Sequence, residues 1–239
     1  MSVSDSPMPS AEQAYEDLEL DRGSREAEIR LIERYYSAAE SDSDRAMLAR
    51  SLVLLTYAHV EGFTKFALLT YASVINGMKI PCHKAALPLV AATLSKLFAA
   101  LRDVNSKHPE FRDTPGDHDV HLQARHLDFI ENYDSVMAQV VNIPDSAIET
   151  GANLNSRMLK RALFQMGLNY PALEEHHGTL NRLLGERNAI AHGDRIQVPK
   201  PESIKAYLET TFKLMLFVQQ EIFTALSDEA FYRPAANDA

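Results

Sequence analysis

Residues 44–77 constrain the fold more than any other stretch. At 3.6 residues per turn, Leu48, Leu52, Leu55, His59, Gly62 and Phe66 fall along one stripe. Val53, Leu54, Tyr57, Leu68, Tyr71 and Ile75 make a second apolar face on the other side. A helix that is apolar on two sides must be buried on two sides. Two arrangements meet that demand. The helix can run through the centre of a bundle, or it can give one face to its own core and the other to a subunit interface.

The remaining segments keep the helical period. Residues 1–20 are small, polar and acidic and read as a disordered or loosely held arm. A helix starts near Ser24, with Ile29, Ile32 and Tyr36 at i, i+3 and i+7, and "SDSD" supplies a break and an N-cap for the next. Further helices are predicted over about 83–104, entered through "IPCHKAAL", and over 120–140. "RMLKRALFQMGL" forms another, ended by Gly167. A helix with Pro171 in its first turn runs to Gly193, and the last spans about 202–226. The tail 231–239 reads as frayed. The expected architecture is all-α: one helical domain over 21–230, with no strand.

Composition narrows the function. The 239 residues are 46% hydrophobic, enough for a sizeable core, and contain a single cysteine, Cys82. One cysteine allows no intrachain disulfide and no zinc site built on cysteine pairs, so a reducing cytoplasm is the expected home. The first 20 residues lack the basic and apolar regions of a secretory signal, and no uninterrupted apolar run has the length of a membrane span. The net charge of −9 argues against non-specific coating of DNA or RNA. It does not extend to 157–200, where seven basic residues face four acidic ones.

Within that basic segment, "GERNAIAHGD" breaks the helical rule. On a wheel centred on Leu180, the residues Leu173, Leu183, Leu184 and Ala191 share the apolar stripe, and Arg187 falls in its middle. Burying an unpaired guanidinium is costly, so an arginine there snorkels, pairs, or serves a ligand. Asn188 and His192 lie on the flank as i, i+4 neighbours. A histidine titrates near neutrality and can act as acid or base, or it can simply cap a helix. Glu61 is a second oddity, an acid on the helix side of Leu54, Tyr57 and Leu68, beside Gly62. It is either an exposed edge residue or a buried partner for an arginine. His176–His177 and the His118/His121 pair lack the carboxylate spacing of metallopeptidase motifs, and there is no glycine-rich phosphate loop and no nucleophile elbow. No metal or other cofactor is expected.

"RNAIAHG" resembles the signature of HEPN domains (higher eukaryotes and prokaryotes nucleotide-binding), whose ribonuclease members carry Arg, a polar residue and His at this spacing. "YAHVEGFTKFAL" and "NLNSRMLKRALFQMGL" are similar to two further segments of a prokaryotic HEPN group found in toxin–antitoxin and defence settings, in the same order. The resemblance covers about 24–226. It implies an antiparallel helical bundle that forms a symmetric dimer, with Arg187, Asn188 and His192 of both subunits at a shared cleft. It implies metal-independent RNA cleavage by 2′-OH attack, leaving 2′,3′-cyclic phosphate ends. Arg187 then binds phosphate, His192 moves the proton, Asn188 orients one of them, and Glu61 supports Arg187. The implied partners are RNA, a second copy and an antitoxin protein, not DNA or a membrane. A non-catalytic HEPN dimer that binds RNA, nucleotide or a protein is the alternative. Some HEPN toxins carry a tyrosine two residues after the histidine, which a partner enzyme modifies. Asp194 stands there in this chain.

Overall fold

A computed structural model of the chain describes residues 10–148, 153–193 and 198–234. Nine α-helices are found among them: α1 (Ala11–Ala38), α2 (Asp42–Gly77), α3 (Leu87–Thr93), α4 (Ser95–Arg102), α5 (His118–Glu131), α6 (Tyr133–Ala138), α7 (Ser156–Gln165), α8 (His177–Ala191) and α9 (Pro201–Ser227). No strand occurs in the described residues, only the isolated bridges Pro81–Val140 and Ala85–Tyr232. The fold is an all-α bundle.

α2 occupies its centre. The Ser41 side chain caps it by accepting from the Asp44 N–H at 3.0 Å. α1, α8 and α9 pack around it, so Leu52, Val53, Tyr57, Phe63, Leu68 and Ile75 are all buried by the chain itself. After the exposed first turns, residues 42–45 and Met47, the exposed positions are Ser51, Ala58, Lys65 and Ser73, and Leu48, Leu54, Leu55 and Phe66 are half-buried. The helix therefore runs through the centre of the bundle: Val53, Tyr57, Leu68, Tyr71 and Ile75 of its second face are buried, while of the first stripe Leu52 is buried and the rest are half-buried. Among the described helices, α2 alone has the length and composition to cross a bilayer, although its apolar run is interrupted. Its place between three other helices accounts for that composition.

α1 begins well before Ser24. Ser10 caps it, accepting from the Gln13 N–H at 3.1 Å, and Ala14 and Leu18 are fully buried one turn apart. Tyr15 packs its ring on Phe223 of α9, centroids 4.8 Å apart. The expectation of a loose arm over 1–20 therefore fails from residue 11 onward, while residues 1–9 lie outside the described set. Its polar composition belongs to the outward face, and two small apolar contacts at i, i+4 are enough to dock it. The seam with α9 closes on Gln219, which is fully buried. Its Oε1 accepts from Arg22 Nε at 2.6 Å, and its Nε2 donates to Glu19 at 2.8 Å. Those bonds from Gln219 and Arg22 hold the Glu19 carboxyl below its usual range.

The expected helix over 83–104 is really two short helices starting at Leu87, with Pro88 in the first turn and a break at Leu94. Residues 82–84 form a turn and no helix, closed by the Lys84 and Ala85 N–H groups on the Pro81 carbonyl, because the neighbouring backbone bonds elsewhere. The Cys82 and His83 N–H groups donate to Gln139 and Met137, and Ala86 donates to Phe231. The same pairing docks the start of the tail. Phe231 is buried and the Arg233 N–H donates to Lys84, so 231–233 is not frayed. The helix expected over 120–140 is interrupted at Asn132, and a 3-10 turn, Pro171–His176, precedes α8. His121 serves the fold. It is buried, and its Nδ1 accepts from the His108 N–H at 2.9 Å.

Gly167 ends α7 at φ 70°, a left-handed conformation that a side chain disfavours. Gly23, inside α1, has open space beside it. Urea unfolding should separate the two. Gly167→Ala is expected to cost about 1 kcal/mol, and Gly23→Ala to add up to about 1 kcal/mol through helix propensity.

Candidate functional site

Arg187 lies in the last turns of α8. Leu180 and Leu183, earlier on the same stripe, are buried; Leu184 and Arg187 are half-buried; Ala191 and His192 are exposed. The apolar stripe is therefore covered at its start and opens toward its end, where the polar residues stand. Its guanidinium carbon sits 4.9 Å above the Tyr57 ring of α2. Its Nη1 donates to Asn188 Oδ1 at 2.8 Å and to Asn153 Oδ1 at 3.1 Å. Nε and Nη2 make no hydrogen bond to any described residue, and no described carboxylate forms an ion pair with Arg187.

Glu61 is committed elsewhere. Its Oε1 accepts from the Tyr57 hydroxyl at 3.0 Å and from the Leu154 N–H at 3.0 Å. The Tyr57 hydroxyl also lies 3.3 Å from the Leu154 carbonyl. Burial pushes the Tyr57 phenol well above its ordinary value, and the Glu61 charge and hydrogen bond push it further, so it remains a donor. Glu61 thus supports Arg187 indirectly. It fixes the ring that Arg187 stacks on and the 153–154 segment that supplies the Asn153 amide.

Gly62, beside Glu61, makes room for a side chain of α1. The Arg25 guanidinium of α1 fills the space beside it, 2.7 Å from where a Cβ would stand. Arg25 pairs with Asp21 and lies 3.5 Å from His59 Nδ1. Burial lowers the pKa of that histidine.

Asn188 turns its side-chain oxygen to Arg187, and its carbonyl accepts the His192 N–H at 3.0 Å. His192 is the C-cap of α8 and is followed by Gly193 at φ 69°. The structure thus joins Arg187 and Asn188 directly, links Glu61 to them through Tyr57 and Leu154, and leaves His192 exposed one turn on. Asp194 lies outside the described residues. On the far side of α8, Glu186 accepts from Tyr207 Oη at 2.9 Å, and burial with that bond pushes the Tyr207 phenol up to about 12.

Two residues of this arrangement escape a sequence reading. Tyr57 passes for an ordinary core aromatic, although it stands four residues before Glu61 on one helix face, a spacing at which side chains meet. Asn153 belongs to the "NLNS" segment, but its contact with Arg187 spans 34 residues. Three of the four expected residues hold or extend one cation that keeps its charge. Such a group suits a bound phosphate, since two N–H directions of the planar fork remain open.

Glu61→Ala should leave the buried Leu154 N–H without its acceptor and cost about 1–3 kcal/mol in urea unfolding. Glu61→Gln retains an oxygen in the same place and should stay within about 1 kcal/mol of the parent.

A family model described as RiboL-PSP-HEPN matches residues 21–227, from the middle of α1 to the end of α9. No curated protein and no solved structure matches the chain.

Proposed function

The chain belongs to the RiboL-PSP-HEPN family, and from that premise we propose that it is a metal-independent endoribonuclease acting as a symmetric dimer, in the role of a toxin or antiviral effector. The family ties the chain to ribonuclease or nucleotide-binding function. One observation carries the finer reading. Arg187 is half-buried, yet among the described residues its charge is met by two amide oxygens and an aromatic face and not by a carboxylate. A structural arginine in that position ordinarily takes an acid, because only an anion neutralises it in a low-dielectric setting. A phosphate diester supplies the missing anion.

In the proposed reaction the ribose 2′-oxygen attacks the adjacent phosphorus. The 2′-O–P bond forms, the P–O5′ bond breaks, and the products are a 2′,3′-cyclic phosphate and a 5′-hydroxyl. His192 takes the 2′-OH proton or gives one to the leaving 5′-oxygen. Arg187 holds the non-bridging oxygens through Nε and Nη2 and stabilises their developing charge. Asn188 and Asn153 aim that fork. Tyr57 and Glu61 are positioning residues beneath it. A cytoplasmic location suits the single, buried Cys82 thiol, and an antitoxin protein is the partner that such an activity requires inside a cell.

The test is cleavage of a mixed RNA pool in EDTA, with end-group analysis of the fragments. Cyclic phosphate ends are expected. His192→Ala should slow cleavage at least ~10²-fold, the usual scale for one acid–base group. Arg187→Ala should slow it comparably while leaving the dimer and its melting intact. RNA bound but uncut by a folded dimer would overturn the enzyme and favour a non-catalytic HEPN module.

A further inference from the structure

A groove of about 640 Å³ lies between α3, the start of α4, the turn Asp145–Ala147 and α7. It shares no lining residue with the Arg187 site. Its volume falls in the range of small-molecule sites. Pro88, Ala91 and Ala92 of α3 and Phe164 of α7, 59% exposed, supply its apolar lining. An aromatic ring left that open over an apolar groove favours an apolar occupant.

Two cations stand at this groove, Lys96 on the α4 side and Arg161 on α7. Neither makes an ion pair or hydrogen bond with a described residue. No described lining residue is acidic, although the whole chain carries 33 acidic residues against 24 basic ones. The groove therefore combines apolar walls with unneutralised positive charge, against the trend of the molecule. Its finite, concave shape selects a small molecule over a bilayer surface.

We propose that this groove binds a single-chain amphipathic carboxylate of medium length. The hydrocarbon tail lies along Pro88, Ala91, Ala92 and Phe164, and the carboxylate meets Lys96 and Arg161. The assignment is independent of the ribonuclease reading.

The test uses the full chain and anilinonaphthalene sulfonate, itself an apolar body with an anionic head, as the fluorescent probe. Saturable binding at one site per chain is expected, with displacement by decanoate and dodecanoate. Each methylene taken from water contributes a roughly four-fold gain, so dodecanoate should displace about fifteen-fold more tightly than decanoate. Lys96→Glu with Arg161→Glu should weaken the carboxylates at least ten-fold and leave decanol, which lacks the charge, within two-fold. Ala91→Trp should fill the groove and abolish binding of all three. Ala91 is exposed, and the charge variants sit on the surface, so circular dichroism and melting should match the parent. Absence of saturable binding, binding untouched by Ala91→Trp, or equal loss of decanol and decanoate in the charge variant would each overturn the proposal. Displacement by an acidic amphipathic peptide, with no effect of the fatty acids, would overturn it in favour of a protein partner.

Discussion

A guanidinium resting on a tyrosine ring, with no described carboxylate to neutralise it, sets the terms for the rest of this molecule. Such a contact is weak at an exposed site and gains strength only when the ring is rigid and dry. Tyr57 meets both conditions because it is fully buried and its hydroxyl is tied to Glu61 and the Leu154 carbonyl. The ring is rigid because α2 is, and α2 is rigid because three helices enclose it. The site therefore draws its order from the centre of the bundle, although its open edge lies at a helix end. That is the usual requirement for a preorganised group: the support must be stiffer than the group it aims.

Glu61 shows how an acid can serve a cation without neutralising it. Placed against Arg187 it would form a buried ion pair, and the pair would compete with any anionic ligand. One turn down the helix, it spends its charge on a phenol and a backbone N–H instead. The carboxylate then supports Arg187 by fixing the ring beneath it and not as an ion-pair partner. The same carboxylate orders the 153–154 segment, so the Asn153 amide reaches Arg187 from a loop with no regular structure of its own. Three chain segments far apart in sequence converge on one guanidinium in this way.

What was legible in the sequence followed from local rules. Ser41 before an acidic first turn marked the start of α2, Gly167 and Gly193 marked helix ends, and the two-faced pattern of 44–77 called for burial on both sides. What was not legible depended on distant chain. Residues 83–86 look helical until the carbonyls of Met137 and Phe231 take the His83 and Ala86 N–H groups, and Leu18 looks like part of a loose acidic arm until the bundle buries it. The site divides along the same line. Arg187 stood out because it violates its own helix, whereas Asn153 violates nothing and reveals its use only across 34 residues.

His192 differs from the other site residues in having no side-chain partner among the described residues, and the proposed chemistry gives that a meaning. Attack by the 2′-oxygen and departure of the 5′-oxygen occur on opposite sides of phosphorus, in line. Two protons move, one off the entering oxygen and one onto the leaving oxygen. A single imidazole on a single helix end cannot stand on both sides of the phosphate. Each chain offers one, exposed, at the C-cap of α8, about one turn from a fork whose Nε and Nη2 make no hydrogen bond to a described residue. A two-fold interface repeats each contact and would set a second His192 opposite the first. On that reading the reason for a dimer lies in the proton balance of the reaction at the exposed end of α8.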